Sequence, residues 1–157
     1  MNQIIYTPLA TEFVVAMQNG APDAYGLPAE HATSDGSGMP CRHCLNDIPA
    51  GAGMLIFAHR PFAALQPYAE TGPIFLCADV CTAYTGDAVP PILSSRAGYL
   101  VKGYTADERI HYGTGKIVPP EELSDYAADL LASDEITFVD VRSASNNCFM
   151  TRITSRP

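Results

Sequence analysis

The sequence predicts an α+β chain with a mixed or mainly antiparallel sheet and two or three helices. Three observations carry this. Residues 54–59, 73–77 and 136–141 are short apolar or β-branched runs of strand length. Pro119-Pro120-Glu121-Glu122 opens a stretch in which Leu123, Tyr126, Ala127, Leu130 and Leu131 share one helical face. No repeat or separating linker interrupts the 157 residues, so residues 1–157 read as a single domain, long enough to bury one core.

Taken in order, residues 3–19 read as a short strand and then a helix. Thr11 serves as N-cap, Phe13, Val14 and Met17 lie on one face, and Asn19-Gly20 forms the stop. Residues 20–40 are rich in Gly, Pro, Ser and Ala without periodicity, and read as a long loop. Met54-Leu55-Ile56-Phe57-Ala58-His59 is a buried strand, Arg60 to Tyr68 an irregular connector with two prolines, and Pro73 to Cys77 a second strand. A short helix is expected over 79–84, ending before Pro90-Pro91. Tyr99–Tyr104 and Arg109–Tyr112 read as paired strands around a turn at Ala106-Asp107. In the helix after Pro119, the two glutamates sit near the positive end of the dipole. Ile136–Val141, the turn residues Asn146-Asn147 and Cys148–Ile153 then form a terminal hairpin.

Composition narrows the function. Hydrophobic residues make up 47% of the chain, too many for a disordered protein. Seventeen acidic residues face nine basic ones, a net charge of −8, and only Lys102 and Lys116 are lysines. That balance excludes the basic footprint of a nucleic-acid or anionic-membrane binder. The first basic residue is Arg42, Ile4-Ile5-Tyr6 is broken by Thr7-Pro8, and no apolar run approaches the ~20 residues that span a bilayer. A soluble, cytoplasmic protein is expected. Its five cysteines, an odd number without an export signal, point to metal binding or thiol chemistry rather than a disulfide framework.

Four of them form two pairs. Cys41-Arg42-His43-Cys44 is a C-x2-C pair and Cys77-Ala78-Asp79-Val80-Cys81 a C-x3-C pair, with 32 residues between them. Such spacings let both thiolates of a pair reach one tetrahedral ion from a single turn, and the spacer holds two strands that return the second knuckle to the first. Soft thiolates select zinc or iron, not magnesium or calcium. Zinc on Cys41, Cys44, Cys77 and Cys81 is the expectation, and four thiolates leave no open position for catalysis. A catalytic variant would use three cysteines, or bring in His43 or His59, although His43 is expected to point away from the ion. A dithiol redox pair is disfavoured, because Pro40 before and Pro49 after leave no room for a helix at the C-x-x-C.

Other residues carry weaker readings. Cys148 with His111 as base and Asn146 or Asn147 as orienter would make a thiol hydrolase, against the plainer reading of a small residue on a hairpin strand. Seven arginines are available for a small anion, but each has acids to pair with; Asp140 and Arg142 on one strand face would satisfy one another. Glu70 reads as a turn-forming or arginine-paired carboxylate rather than a base. Gly113-Thr114-Gly115-Lys116 lacks the first glycine and the Ser or Thr of a phosphate loop.

Pro40-Cys41-Arg42-His43-Cys44-Leu45, Arg60-Pro61-Phe62, Pro67-Tyr68-Ala69-Glu70-Thr71-Gly72-Pro73-Ile74-Phe75, and Val141-Arg142-Ser143-Ala144 with Asn147-Cys148-Phe149 together resemble the bacterial domain-of-unknown-function family numbered 1203. The resemblance covers nearly the whole chain. It implies a bacterial single-domain protein without an assigned activity, and carries over neither a catalytic residue nor a metal site. Two functions follow from the residues: a zinc-stabilised binding domain for a protein or small-molecule partner, or a small hydrolytic or redox enzyme using a cysteine thiolate or metal-bound water.

Overall fold

A computed structural model describes residues 3–157. Its elements are β1 (Ile4–Thr7), α1 (Thr11–Gln18), β2 (Glu30–Thr33), β3 (Gly53–His59), β4 (Gly72–Cys77), β5 (Tyr99–Tyr104), β6 (Lys116–Val118), α2 (Leu123–Leu131), β7 (Phe138–Ser143) and β8 (Phe149–Ser155). They build two antiparallel sheets, one of five strands in the order β1-β8-β7-β5-β6 and one of three in the order β2-β3-β4. The α+β expectation holds, with every strand pairing in both sheets antiparallel. No described helix is long and apolar enough to cross a membrane.

The large sheet follows from alternation along its strands. Val139 and Val141 of β7, with Tyr99, Val101 and Ile153, join the apolar face of α2 formed by Leu123, Ala127 and Leu131. Phe138, Asp140 and Arg142 occupy the alternate positions, and Phe138 packs there with Tyr104 and Phe62. In the small sheet, Leu55, Phe57, Ile74 and Leu76 bury against Val14 and Met17 of α1, and Phe149 of β8 joins that cluster from the other sheet.

Four expectations are corrected. Residues 20–40 are not all loop: Glu30–Thr33 pairs with β3, an edge strand of four exposed residues held by the backbone ladder rather than by an apolar pattern. Residues 79–84 form no helix, because their polar groups are used across the chain: Gln18 Nε2 donates to the carbonyls of Cys77 and Asp79, and the Tyr84 amide donates to the His43 carbonyl. Arg109–Tyr112 meets β5 through a single bridge, Tyr104 to Ile110, and the strand beside β5 is instead Lys116–Val118. Thr11 does not cap α1. Ala10 holds that position, and the Thr11 hydroxyl is committed to His43.

Leu123 is fully buried and Ile117 is 54% exposed. Leu123→Ala should therefore cost about 2–5 kcal/mol in urea unfolding, whereas Ile117→Ala should cost less than about 1 kcal/mol.

Candidate metal centre

The first cysteine pair sits in a tight reversal. Pro40 bridges Asp47, the Cys41 amide donates to the Asn46 carbonyl, and the Leu45 amide donates to the Cys41 carbonyl. Leu45 takes a left-handed conformation at φ 55° while its side chain is fully buried, so burial holds a backbone state that leucine otherwise avoids. The second pair begins at Cys77, the last residue of β4, and Cys81 follows in the irregular segment. Cys41 bridges Phe75 in parallel, and the Cys77 amide approaches Cys41 Sγ at 3.4 Å. β3 and β4 lie within the 32-residue spacer, with only Cys77 itself beyond it, and return the second pair to the first, as the spacing predicts.

The four sulfurs lie within 4.8 Å of one another. Cys41 and Cys81 Sγ are 3.9 Å apart, and Cys44 and Cys77 Sγ are 4.0 Å apart. A disulfide needs about 2.05 Å, and all five cysteines are free thiols. A tetrahedron with metal–sulfur bonds of about 2.3 Å has edges of about 3.8 Å, close to both separations. Four cysteines could thus hold one metal ion.

The thiols also perturb one another. Hydrogen bonds from the Cys44 and Cys77 thiols pull the Cys41 pKa well below the ordinary thiol range. The bonds with Cys41 and Cys44 drive Cys77 upward, bonding to Cys41 raises Cys44, and burial and then the Cys41 charge push Cys81 up to about 12. One thiolate is favoured and its neighbours resist ionising; a bound divalent cation would ease that conflict by placing positive charge among them.

His43 does not point away from the cluster. Its Nδ1 lies 3.1 Å from Cys81 Sγ and its Nε2 lies 2.9 Å from the Thr11 hydroxyl. The tautomer that satisfies both bonds has Nδ1–H donating to sulfur and Nε2 accepting from Thr11, an assignment drawn from the network. His43 is therefore a buried partner of one thiol rather than a fifth ligand. Sequence spacing does not reveal this, because the orienting hydroxyl comes from α1.

The other candidates are dispersed. His111 bonds Glu135 at 2.8 Å, while the Cys148 thiol meets the Asn146 carbonyl at 3.8 Å, so no cysteine–histidine pair assembles there. Glu70 is paired, as expected, with Arg142 at 3.0 Å and Lys102 at 3.4 Å. Asp140 and Arg142 do not satisfy one another. Asp140 lies opposite Arg152 across the β7–β8 ladder and is held by it in a fork of 2.7 and 3.0 Å, because cross-strand partners stand closer than residues two apart on one strand. Thr114 of the rejected phosphate-loop stretch instead accepts the Gly103 amide and donates to the His111 carbonyl. His59 lies outside the thiol cluster, and its Nε2 is buried without a partner among the described residues.

Residues 38–155 match a family model described as "Protein of unknown function (DUF1203)", a span that includes all five cysteines. No curated protein and no solved structure matches the chain.

Two outcomes follow from this geometry. His43→Ala should lower affinity for a bound metal about 10- to 100-fold in chelator competition, with all four thiols retained. Burial, reinforced by Arg152, Arg42 and Arg60, lowers His59 from 6.5 to about 4. The unfolded chain therefore takes up this proton first. Stability from His59 is complete above its unfolded pKa and is lost as pH falls towards about 4, by at most about 3 kcal/mol. In urea titrations between these pH values, His59→Gln should show a correspondingly smaller loss than the wild-type chain.

Proposed function

The chain belongs to the DUF1203 family of proteins of unknown function, and from that premise we propose that it is a zinc-stabilised binding domain of the bacterial cytoplasm. The observation that supports this reading is the convergence of four thiols at tetrahedral separations. A sulfur-only donor set suits zinc, and four protein ligands close the site, which favours a structural role. The ion would tie the 41–44 reversal to the end of β4, and with it α1 through Thr11, His43 and Gln18. The partner is a protein or a small molecule; seventeen acidic against nine basic residues disfavour nucleic acid and anionic membrane. The thiol-hydrolase alternative has less support, since His111 is engaged with Glu135 rather than with Cys148.

Elemental analysis of untagged protein purified without chelator tests this directly, with a parallel count of reactive thiols. About one zinc per chain and one fast thiol, Cys148, are expected. Cys44→Ser should lose the zinc, while Cys148→Ser should keep it. Absence of metal with several reactive thiols would overturn the reading, and iron in place of zinc would overturn the choice of metal.

A further inference from the structure

A cleft of about 310 Å³ opens on the opposite face of β7 from α2 and contains none of the four clustered thiols. His59, Pro61, Glu70, Arg142, Cys148 and Phe149 line it. Its distinguishing feature is Arg142, whose side chain is only 5% exposed. The Nη1 of Arg142 is fully used, donating to the Asn147 carbonyl at 3.0 Å and meeting Glu70 Oε2 at 3.0 Å. Its Nε and Nη2 are buried and have no hydrogen-bond partner among the described residues. In a guanidinium these two N–H groups run parallel and form the side-on fork that fits two oxygens of one anion. Burial pushes the Tyr104 hydroxyl up to about 12 and its approach to the Arg142 guanidinium opposes that rise, but the contact falls short of full hydrogen-bond geometry, so neither group is satisfied among the described residues. A buried charged fork left half empty is costly unless a ligand completes it.

Charge specifies the ligand further. Arg142, Arg152 and Lys102 are paired on this sheet face with only two carboxylates, Glu70 and Asp140. One positive charge is unmatched. Arg42, buried nearby with its Nε on the Phe149 carbonyl at 2.8 Å, has no carboxylate partner among the described residues. With Arg42 the excess is two positive charges, which suits an anion. A second hollow of about 470 Å³ shares His59, Pro61 and Phe149 with the cleft and continues over Leu9, Phe13 and Phe62, a mostly apolar lining. The unpartnered His59 Nε2 belongs to the residue at their junction.

We propose that this cleft binds a small organic carboxylic acid, its carboxylate on the Nε–Nη2 edge of Arg142 and its apolar body running over Pro61 and Phe149 towards Phe13 and Phe62. The cleft shares no residue with the thiol cluster, and measuring metal in the same samples separates the two readings.

Cys148 on the cleft wall supplies the readout. The intact chain is treated with iodoacetamide, and alkylation of Cys148 is followed by peptide mass mapping in the presence of octanoate, benzoate, their neutral amides, or inorganic phosphate. Binding of the same probes is measured by calorimetry. The acids are expected to slow Cys148 alkylation and to bind at least about tenfold more tightly than the amides, the scale of charge-assisted hydrogen bonds. Arg142→Lys keeps the charge, loses the fork and should lose about tenfold in affinity. The comparison of acid with amide uses the wild-type chain, so the test stands even if that variant does not fold. Equal binding of acid and amide, phosphate binding as tightly as the acids, or no protection by either acid at about 10 mM would each overturn the proposal.

Discussion

Asp140 is fully buried in the middle of the large sheet, and a carboxylate taken out of water has to be met by donors or become protonated. Burial raises its pKa, and the Arg152 fork opposes that rise. Much of the sheet's outer layer follows from this constraint. Arg152 must lie across from Asp140, which sets the β7–β8 register on that side of the bulge near Arg142. The same Nη2 also donates to the Pro61 carbonyl, and the guanidinium lies 3.7 Å from the centre of the Phe138 ring. The connector between β3 and β4 is thereby pulled over the charged face. There Glu70 reaches Lys102 and Arg142, and Phe62 packs with Tyr104 and Phe138. An irregular segment with two prolines becomes a fixed wall because buried charges demand it.

A second part of the molecule is organised by sulfur. Four thiols at these separations cannot all ionise beside one another, and a thiol cluster without a counter-charge is a standing electrostatic conflict. The surrounding polar contacts are nonetheless in place: the Cys77 amide on Cys41, His43 on Cys81, and Thr11 on His43. These bonds hold α1, the 41–44 reversal and the end of β4 together around a small volume. The segment after Cys77 stays irregular, with the carbonyls of Cys77 and Asp79 taken by Gln18.

Local periodicity made the terminal hairpin, α2, β3 and β4 legible, since each carries its own apolar pattern. The thiol cluster was legible for a different reason: cysteine spacing is a local signature of a shared centre. What escaped depends on partners distant in sequence. Glu30–Thr33 has four exposed side chains and is a strand only because β3 offers a ladder. The orientation of His43 depends on Thr11, 32 residues away. The alternation of Asp140 and Arg142 with valines announces a strand with one charged face, but not that Arg142 meets Glu70 while Asp140 meets Arg152. A pairing within one strand is the natural reading of a one-dimensional string, and cross-strand geometry defeats it.

The two parts are joined by Arg42. It lies within the first cysteine pair, its amide donates to the Phe75 carbonyl of β4, and it is buried with its pKa lowered to about 10 by desolvation. Its Nε donates to the Phe149 carbonyl at 2.8 Å and its Nη1 to the Pro40 carbonyl at 2.6 Å. Phe149 in turn lines both hollows on the charged face. A rigid, charged side chain therefore runs from the thiol knuckle to the cleft wall, and its two hydrogen bonds leave it little freedom to move without moving both. The 41–44 reversal and the backbone at Phe149 are thus tied to one another through contacts that are short and buried.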